Sequence, residues 1–310
     1  MRILILGAGA TGGYFGGRLL QHGRDVTFLV HPRRAEALRR TGLVLRSPFG
    51  DVTLAEPPLV LHRDLAGPYD LIVLSCKAYG LEQAMEDLAP AVGPKTAILP
   101  LLNGMRHLDL LDQRFGAVHV LGGRCIIAAT LDTDGAVRQL NDKHTLTFGE
   151  RDGSVTPRLR AINTQLDGVG FDAHASNTIV QDMWDKWVML ATLAGVTCLF
   201  RAPVGTIVAV PGGRAATLAL LDECCAVAAR AGHPLADRTR ETAQAFLTES
   251  GSGLTASMMR DLVGGYPIEA EQIIGDMLAR AEPACDARPS VLALVAVCLR
   301  AYEAQRVAAG

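Results

Sequence analysis

Apolar positions in the first hundred residues fall in short unbroken runs. Arg2–Leu6 (RILIL), Asp25–Val30 (DVTFLV), Tyr69–Lys77 (YDLIVLSCK) and Lys95–Leu102 (KTAILPLL) lack helical spacing and are bounded by glycine, proline or charge. Such runs predict strands buried on both faces of a parallel sheet. Helical spacing lies between them: Tyr14, Phe15, Leu19 and Leu20 share one face up to a stop at His22-Gly23, and Ala35–Arg40 and Leu81–Ala89 follow the same pattern. Leu43–Arg46 and Asp51–Leu54 predict two short strands, and Val118–Gly123 another. Arg124–Leu140, turning at Asp134-Gly135, predicts a hairpin continued by Thr145–Gly149, which would add antiparallel strands to the parallel sheet. Arg158–Asp167 reads as a helix and Phe171–His174 as a last strand.

From about Asn177 the spacing is helical almost to the end, with segments near 178–200, 214–231, 237–249, 268–281 and 290–308. Gly232-His233-Pro234 and Arg288-Pro289 mark breaks between them. The expected architecture is α/β: a doubly wound domain over residues 1–175, then an all-helical domain over 176–310.

The turn after the first strand is Gly7-Ala8-Gly9-Ala10-Thr11-Gly12. A GxGxxG string between a strand and a helix, inside a βαβ unit, is the dinucleotide-binding arrangement of Rossmann-type domains. Gly7 serves the tight turn, Gly9 lets backbone approach a pyrophosphate, and Gly12 lets the helix pack on the sheet. The helix N-terminus supplies unpaired N–H groups and the positive end of its dipole to the anion. An NAD site usually has an acid about 20 residues further on, at the end of the second strand, to bind the ribose 2′-hydroxyl. Here the segment is Leu29-Val30-His31-Pro32-Arg33-Arg34, and the first acid, Glu36, lies in the next helix. Arginine suits a phosphate dianion. The expected cofactor is therefore NADP, with Arg33 first against the 2′-phosphate and Arg34 or His31 as helpers.

Bulk properties remove several function classes. With 30 Lys and Arg against 32 Asp and Glu there is no basic footprint, which argues against nucleic acid or an anionic membrane as partner. The longest uncharged apolar-rich run, Trp187–Phe200, is too short to span a bilayer and contains Thr192 and Thr197, so it reads as a buried core helix. The strand at the start runs straight into the glycine turn, with no signal-peptide pattern. Seven cysteines (76, 125, 198, 224, 225, 285 and 298) form no CxxC and no zinc spacing, and several sit in apolar runs. No metal site is expected, and free thiols fit a cytoplasmic protein. The last predicted helix, Ser290–Ala308, offers an Ala/Leu/Val-rich face to its own domain or to a second copy in a homodimer.

Candidate chemistry sits at strand ends and on one helix. Lys77 and Asn103 follow the third and fourth apolar runs, at the carboxyl edge where open parallel sheets bind ligands. Gln181-Asp182-Met183-Trp184-Asp185-Lys186-Trp187 opens an otherwise apolar helix, and Lys186 is its last charge before Arg201. Burial makes a lysine ammonium a usable proton donor there. Glu269 and Glu271 lie near a helix start, where acids also favour the dipole without catalytic duty.

Taken together, GAGATG at 7–12, SCKAY at 75–79, LLNGM at 101–105, WDKW at 184–187, and ASMMRDL with PIEAE at 256–262 and 267–271 resemble the ketopantoate reductase family over essentially the whole chain. The resemblance implies NADPH-dependent reduction of a 2-oxo acid to a 2-hydroxy acid. It matches Lys186 to the general acid and Glu269 to the acidic partner at the substrate hydroxyl. Asn103 and Lys77 match residues lining the nicotinamide and substrate crevice, Ser257 a serine near the substrate carboxylate, and Ala129 a backbone contact to cofactor. The chemistry agrees: hydride arriving at a ketone leaves an alkoxide, which needs a cation that also carries a proton.

Four positions depart from the family pattern. Leu190, Ala194 and Val204 stand where the family normally has asparagines that hydrogen-bond the substrate, and His31 where members often carry arginine. The substitutions make the substrate side more apolar, so a bulkier 2-oxo acid stands beside 2-dehydropantoate as substrate. Two other readings fit the same outline: a 3-hydroxyacid dehydrogenase, usually NAD-dependent, and a non-catalytic NADPH sensor.

Overall fold

The computed structural model describes residues 1–281 and 290–309, so the expected break at Arg288-Pro289 lies outside the described residues. The chain forms two compact units, one of residues 1–102 and 107–180, the other of 103–106 and 181–310.

The first unit begins with β1 (Arg2–Leu6), α1 (Ala10–Gln21), β2 (Asp25–Leu29) and α2 (Pro32–Thr41). Next come β3 (Leu43–Arg46), β4 (Val52–Leu54), β5 (Leu59–Val60), β6 (Leu71–Leu74), α3 (Leu81–Leu88), β7 (Ala97–Pro100) and α4 (Arg106–Phe115). The unit closes with β8 (Gly122–Leu131), β9 (Val137–Gly149), α5 (Pro157–Leu166) and β10 (Asp172–Ala175). Five strands make a parallel sheet in the order β5-β2-β1-β6-β7. β1 is central, pairing Leu6 with Leu29 on one side and with Leu74 on the other. The strand order reverses at β1, so the connections that leave the carboxyl ends of β1 and β6 run in opposite directions and leave a crevice beyond those ends. The glycine turn emerges there.

Apolar runs become buried strands for the reason their composition gives: Ile3, Ile5, Leu71, Val73 and Leu99 have nearly no exposed surface. α1 covers the sheet with Tyr14, Phe15 and Leu19. Fully burying a side chain such as Phe15 or Leu19 is worth about 1.5–3 kcal/mol.

The hairpin forms as expected, turning at Asp134-Gly135, but it does not extend the parallel sheet. β8 and β9 join β3, β4 and β10 in a second sheet, ordered β10-β9-β3-β4 with β8 on β9. The long β9 makes this possible, since Val137 and Arg138 pair with β3 while 145–148 pair with β10. β8 does pass β7 closely, for a Cβ on Gly123 would lie 2.3 Å from Pro100 O, yet the two form no ladder. The strand expected at Val118–Gly123 is also different. Ala117–His119 is a tight turn entered at Gly116 (φ +89°), and Val120 makes one parallel bridge to Ile98 before β8 starts at Gly122.

The second unit is helical: α6 (Ile179–Phe200, whose first two residues belong to the first unit), α7 (Val204–Ala209), α8 (Gly213–Arg230), α9 (Asp237–Leu247) and α10 (Ser257–Val263). A single π-helical turn, Glu271–Gly275, then leads into α11 (Asp276–Ala279), and α12 (Val291–Ala309) ends the chain. α6 is buried along most of its length. Thr192 and Thr197 are tolerated inside it because each hydroxyl donates to the carbonyl four residues back, at 2.9 and 2.7 Å. Among the described residues no helix is long and apolar enough to cross a membrane.

Candidate active site

Each unit carries its own part of the candidate machinery. In the first, a cleft of about 580 Å³ opens at the carboxyl ends of the parallel strands. Gly7, Ala8 and Gly9 form its floor, Leu29, Val30, His31, Pro32 and Arg34 one wall, and Leu61, His62, Arg63, Gln83 and Asp87 another, with Leu131 beside them.

The glycines of the turn differ in what they do. Gly7 has φ +91°, and a Cβ there would lie 2.8 Å from Ser75 O. A Cβ on Gly12 would lie 2.2 Å from Gly7 O, so only glycine lets α1 start this close to the strand end. A Cβ on Gly9 would meet no protein atom within 4 Å, which leaves backbone accessible on the cleft side. Gly9 is the N-cap of α1 and no side chain caps the helix, so its first N–H groups remain available to an anion. Ala10 and Thr11 begin that helix. Backbone donors, a helix N-terminus and a mostly apolar cleft fit a dinucleotide.

Of the basic residues after β2, Arg33 is exposed and does not line the cleft, whereas His31 and Arg34 do. Arg34 is committed to the protein: its Nε donates to Ala8 O at 3.0 Å and its Nη1 to Gly135 O at 3.1 Å. Burial lowers its pKa from the usual arginine value. His62 and Arg63, at the end of β5, escaped sequence reasoning because a two-residue strand leaves almost no periodic signal. Lys77 is exposed, three residues beyond β6. Ala129 lies in β8 directly after an irregularity at Ala128, where the register against β9 shifts.

In the second unit, Lys186 Nζ donates to Asn103 Oδ1 at 2.8 Å. The acceptor is the oxygen of a neutral amide, and the bond sets the direction of the Lys186 side chain. Flanking Lys186 on α6, Trp184 and Trp187 are both buried. Trp187 Nε1 donates to Ile273 O (3.0 Å), and Gln272 Nε2 donates to Asn103 O (2.8 Å). Both acceptor and donor come through the π-helical turn, which therefore fixes α6 and Asn103 together. Gly104 has φ +78°, and a Cβ there would lie 2.7 Å from Gln272 O. π-helical turns recur at functional sites.

Glu269, 7% exposed, sits just before that turn, and Ile273 N donates to its carbonyl at 3.0 Å. Glu271 instead faces outward and pairs with Arg300 at 2.7 Å, an interaction that holds its carboxyl below the usual range. Ser257 is exposed at the start of α10. Leu190 lies one helical turn after Lys186 and keeps some accessible surface, but Ala194 and Val204 have almost none. Ala194, expected on the substrate side, is packed into the helical core, so of these three positions only Leu190 offers a substrate surface.

Comparison with known proteins gives a consistent assignment. The family model "Ketopantoate reductase PanE/ApbA" matches residues 3–153, and "Ketopantoate reductase PanE/ApbA C terminal" matches residues 178–303. The uncharacterized oxidoreductase YkpB of Bacillus subtilis is 37% identical over 99% of this chain and 100% of its own. The crystal structure of 2-dehydropantoate 2-reductase from Geobacter metallireducens is 28% identical, covering 97% of this chain and 99% of that one, with a TM-score of 0.87. The ternary structure of D-mandelate dehydrogenase with NADH and anilino(oxo)acetate shares the fold at 22% identity and a TM-score of 0.86, over 99% of this chain and 100% of that one. With a glycine-turn cleft in one unit, a tethered lysine in the other and both family regions matched, this chain belongs to the ketopantoate reductase family of nicotinamide-dependent oxidoreductases.

Proposed function

We propose that this protein uses NADPH to reduce a 2-oxo acid to the corresponding 2-hydroxy acid, with Lys186 as the general acid. The observation that carries this reading is the 2.8 Å hydrogen bond from Lys186 to Asn103, made in a frame that the π-helical turn holds. A bound nicotinamide supplies the hydride to the ketone carbon. As the carbonyl π bond breaks, its electron pair stays on oxygen, and Lys186 neutralises that charge by giving it a proton. Asn103 keeps the ammonium in one direction, and Glu269 is the acidic partner at the nascent hydroxyl. Ser257 supplies a hydroxyl to the substrate carboxylate, and Leu190 lies against its substituent.

In the same reading, residues Gly7 to Gly12 hold the pyrophosphate, and Lys77, Asn103 and the backbone at Ala129 contact the cofactor. NADPH is favoured over NADH because no acid follows β2 and because His31, His62 and Arg63 line the cleft against one acid, Asp87. Leu190 in place of a hydrogen-bonding asparagine favours a substrate with an apolar substituent. Leu294 and Val297, 49% and 63% exposed on α12, offer an apolar strip for a homodimer.

The test is a panel of 2-oxo acids, 2-dehydropantoate and larger apolar ones included, with NADPH oxidation followed by absorbance. Turnover on at least one 2-oxo acid, with NADPH preferred to NADH, is expected. Cofactor binding with no turnover on any of them contradicts the proposal.

A further inference from the structure

The cleft's two arginines are held very differently. Arg34 bridges two backbone carbonyls, Ala8 O in the glycine turn and Gly135 O at the tip of the β8–β9 hairpin. Its remaining nitrogen, Nη2, is buried and makes no hydrogen bond among the described residues. The hairpin tip is itself anchored. Arg46 pairs with Asp132 at 2.7 Å and with Asp134, Arg138 pairs with Asp132 at 2.7 Å, and Asp132 N donates to Ala136 O at 2.8 Å. Leu131, directly before the tip, lines the cleft. Arg34 thus ties the glycine turn to an ion-paired corner, fixing where the Ala8 carbonyl points and so where the next N–H groups point.

Arg63 is the opposite case. It lies in the short turn His62–Asp64 that follows β5, the strand paired with β2, and its side chain is 78% exposed, with a 3.4 Å contact to its neighbour Asp64 as its ion pair among the described residues. Such a surface pair contributes little and is readily given up. A guanidinium on the cleft wall beside the end of β2, where a ribose 2′ substituent is read, can turn to a phosphate without breaking any structural bond.

We infer that Arg34 is a positioning residue that staples the glycine turn to the hairpin tip, and that Arg63 makes the discrimination between NADPH and NADH. This rests on reading the cleft as the dinucleotide site. A positioning residue affects both dinucleotides alike, since both share the pyrophosphate; a 2′-phosphate ligand affects only the one that carries the phosphate.

The experiment is fluorescence titration of NADPH and NADH against the full-length wild type and its R34M, R34K, R63A and R33A variants, with thermal melts on each. R34M should weaken both cofactors by a similar factor, about tenfold, leaving their ratio within about twofold of wild type. R34K, which keeps one donor and the charge, should recover part of that loss and serves where R34M melts too low to titrate. R63A should weaken NADPH about 10- to 100-fold while leaving NADH unchanged. A shift of the ratio in R34M or R34K, or loss of NADPH selectivity in R33A with R63A unaffected, overturns the assignment. A wild type that prefers NADH overturns the cofactor reading and the Arg63 role with it, whereas an NADPH-preferring wild type with an unchanged ratio in R63A overturns the Arg63 role alone.

Discussion

Lys186 and Asn103, 83 positions apart in sequence, meet through a 2.8 Å hydrogen bond from ammonium to amide oxygen. Asn103 is held in turn by Gln272, whose amide donates to its carbonyl at 2.8 Å. Removing the orienting amide leaves the ammonium free to point elsewhere. Asn103→Ala should therefore lower kcat about 10- to 100-fold, and Gln272→Leu, one bond further out, by about tenfold or less. Steady-state kinetics on both variants checks the order. A Gln272→Leu loss larger than that of Asn103→Ala would contradict this order of support.

Gly9 and Gly12 separate binding from folding. An alanine methyl at Gly12 would sit 2.2 Å from Gly7 O, whereas one at Gly9 meets no protein atom. Gly12→Ala should lower the melting temperature and cofactor affinity together, and Gly9→Ala should keep wild-type melting while weakening NADPH about tenfold or more. Thermal melts with cofactor titration decide it. Equal destabilisation by the two substitutions would show that the turn is not organised this way.

Much of the first unit is legible in the sequence because its strands are buried on both faces and so appear as unbroken apolar runs. β1, β2, β6 and β7 are found this way, and the glycine turn follows from its place between β1 and α1. Pairing partners are not legible: nothing local in Arg124–Leu140 tells whether the hairpin joins the parallel sheet or, as it does, builds a second sheet with β3 and β10. β5 is too short to carry a period, and with it His62 and Arg63 were missed. Arg33 and Arg34 look alike in sequence, yet successive helix positions differ by about 100° in direction, which turns one to solvent and the other to the glycine turn. The expected helix over 268–281 forms over 270–279 but contains the π-helical turn, whose shifted bonding leaves no compositional mark, so Gln272 was invisible as a support for Asn103.

His144 makes the first unit sensitive to acid. Its ring is 7% exposed, stacks on Phe49 at 3.8 Å and shares a 2.7 Å hydrogen bond with the Tyr14 hydroxyl. Burial, aided by nearby Arg18 and opposed by Asp172, lowers its pKa from the usual histidine value. The unfolded chain therefore binds this proton more readily than the folded one, and stability is lost as pH falls through the unfolded pKa of about 6.5. The melting temperature should drop between about pH 7 and about pH 5, and less so in His144→Gln. An identical drop in the variant removes His144 as the cause.

Two cysteines are predicted to be inert. Burial pushes the thiols of Cys198 and Cys224 up to about 12, so almost no thiolate exists near neutrality. Iodoacetamide on the native protein should leave both unmodified while labelling them after denaturation, as peptide mass spectrometry would show. Labelling of either in the native state at the rate of half-buried Cys76 contradicts their burial.

The most direct measurement concerns Lys186 itself: turnover of Lys186→Ala on a 2-oxo acid that the wild type reduces, with the NADPH dissociation constant taken on the same preparation. Proton delivery by this ammonium predicts that kcat falls about 100-fold or more while NADPH affinity changes by less than about threefold. Turnover that survives the substitution, with the cofactor still bound, would leave the ketone oxygen served by some other donor and the proposed chemistry without its acid.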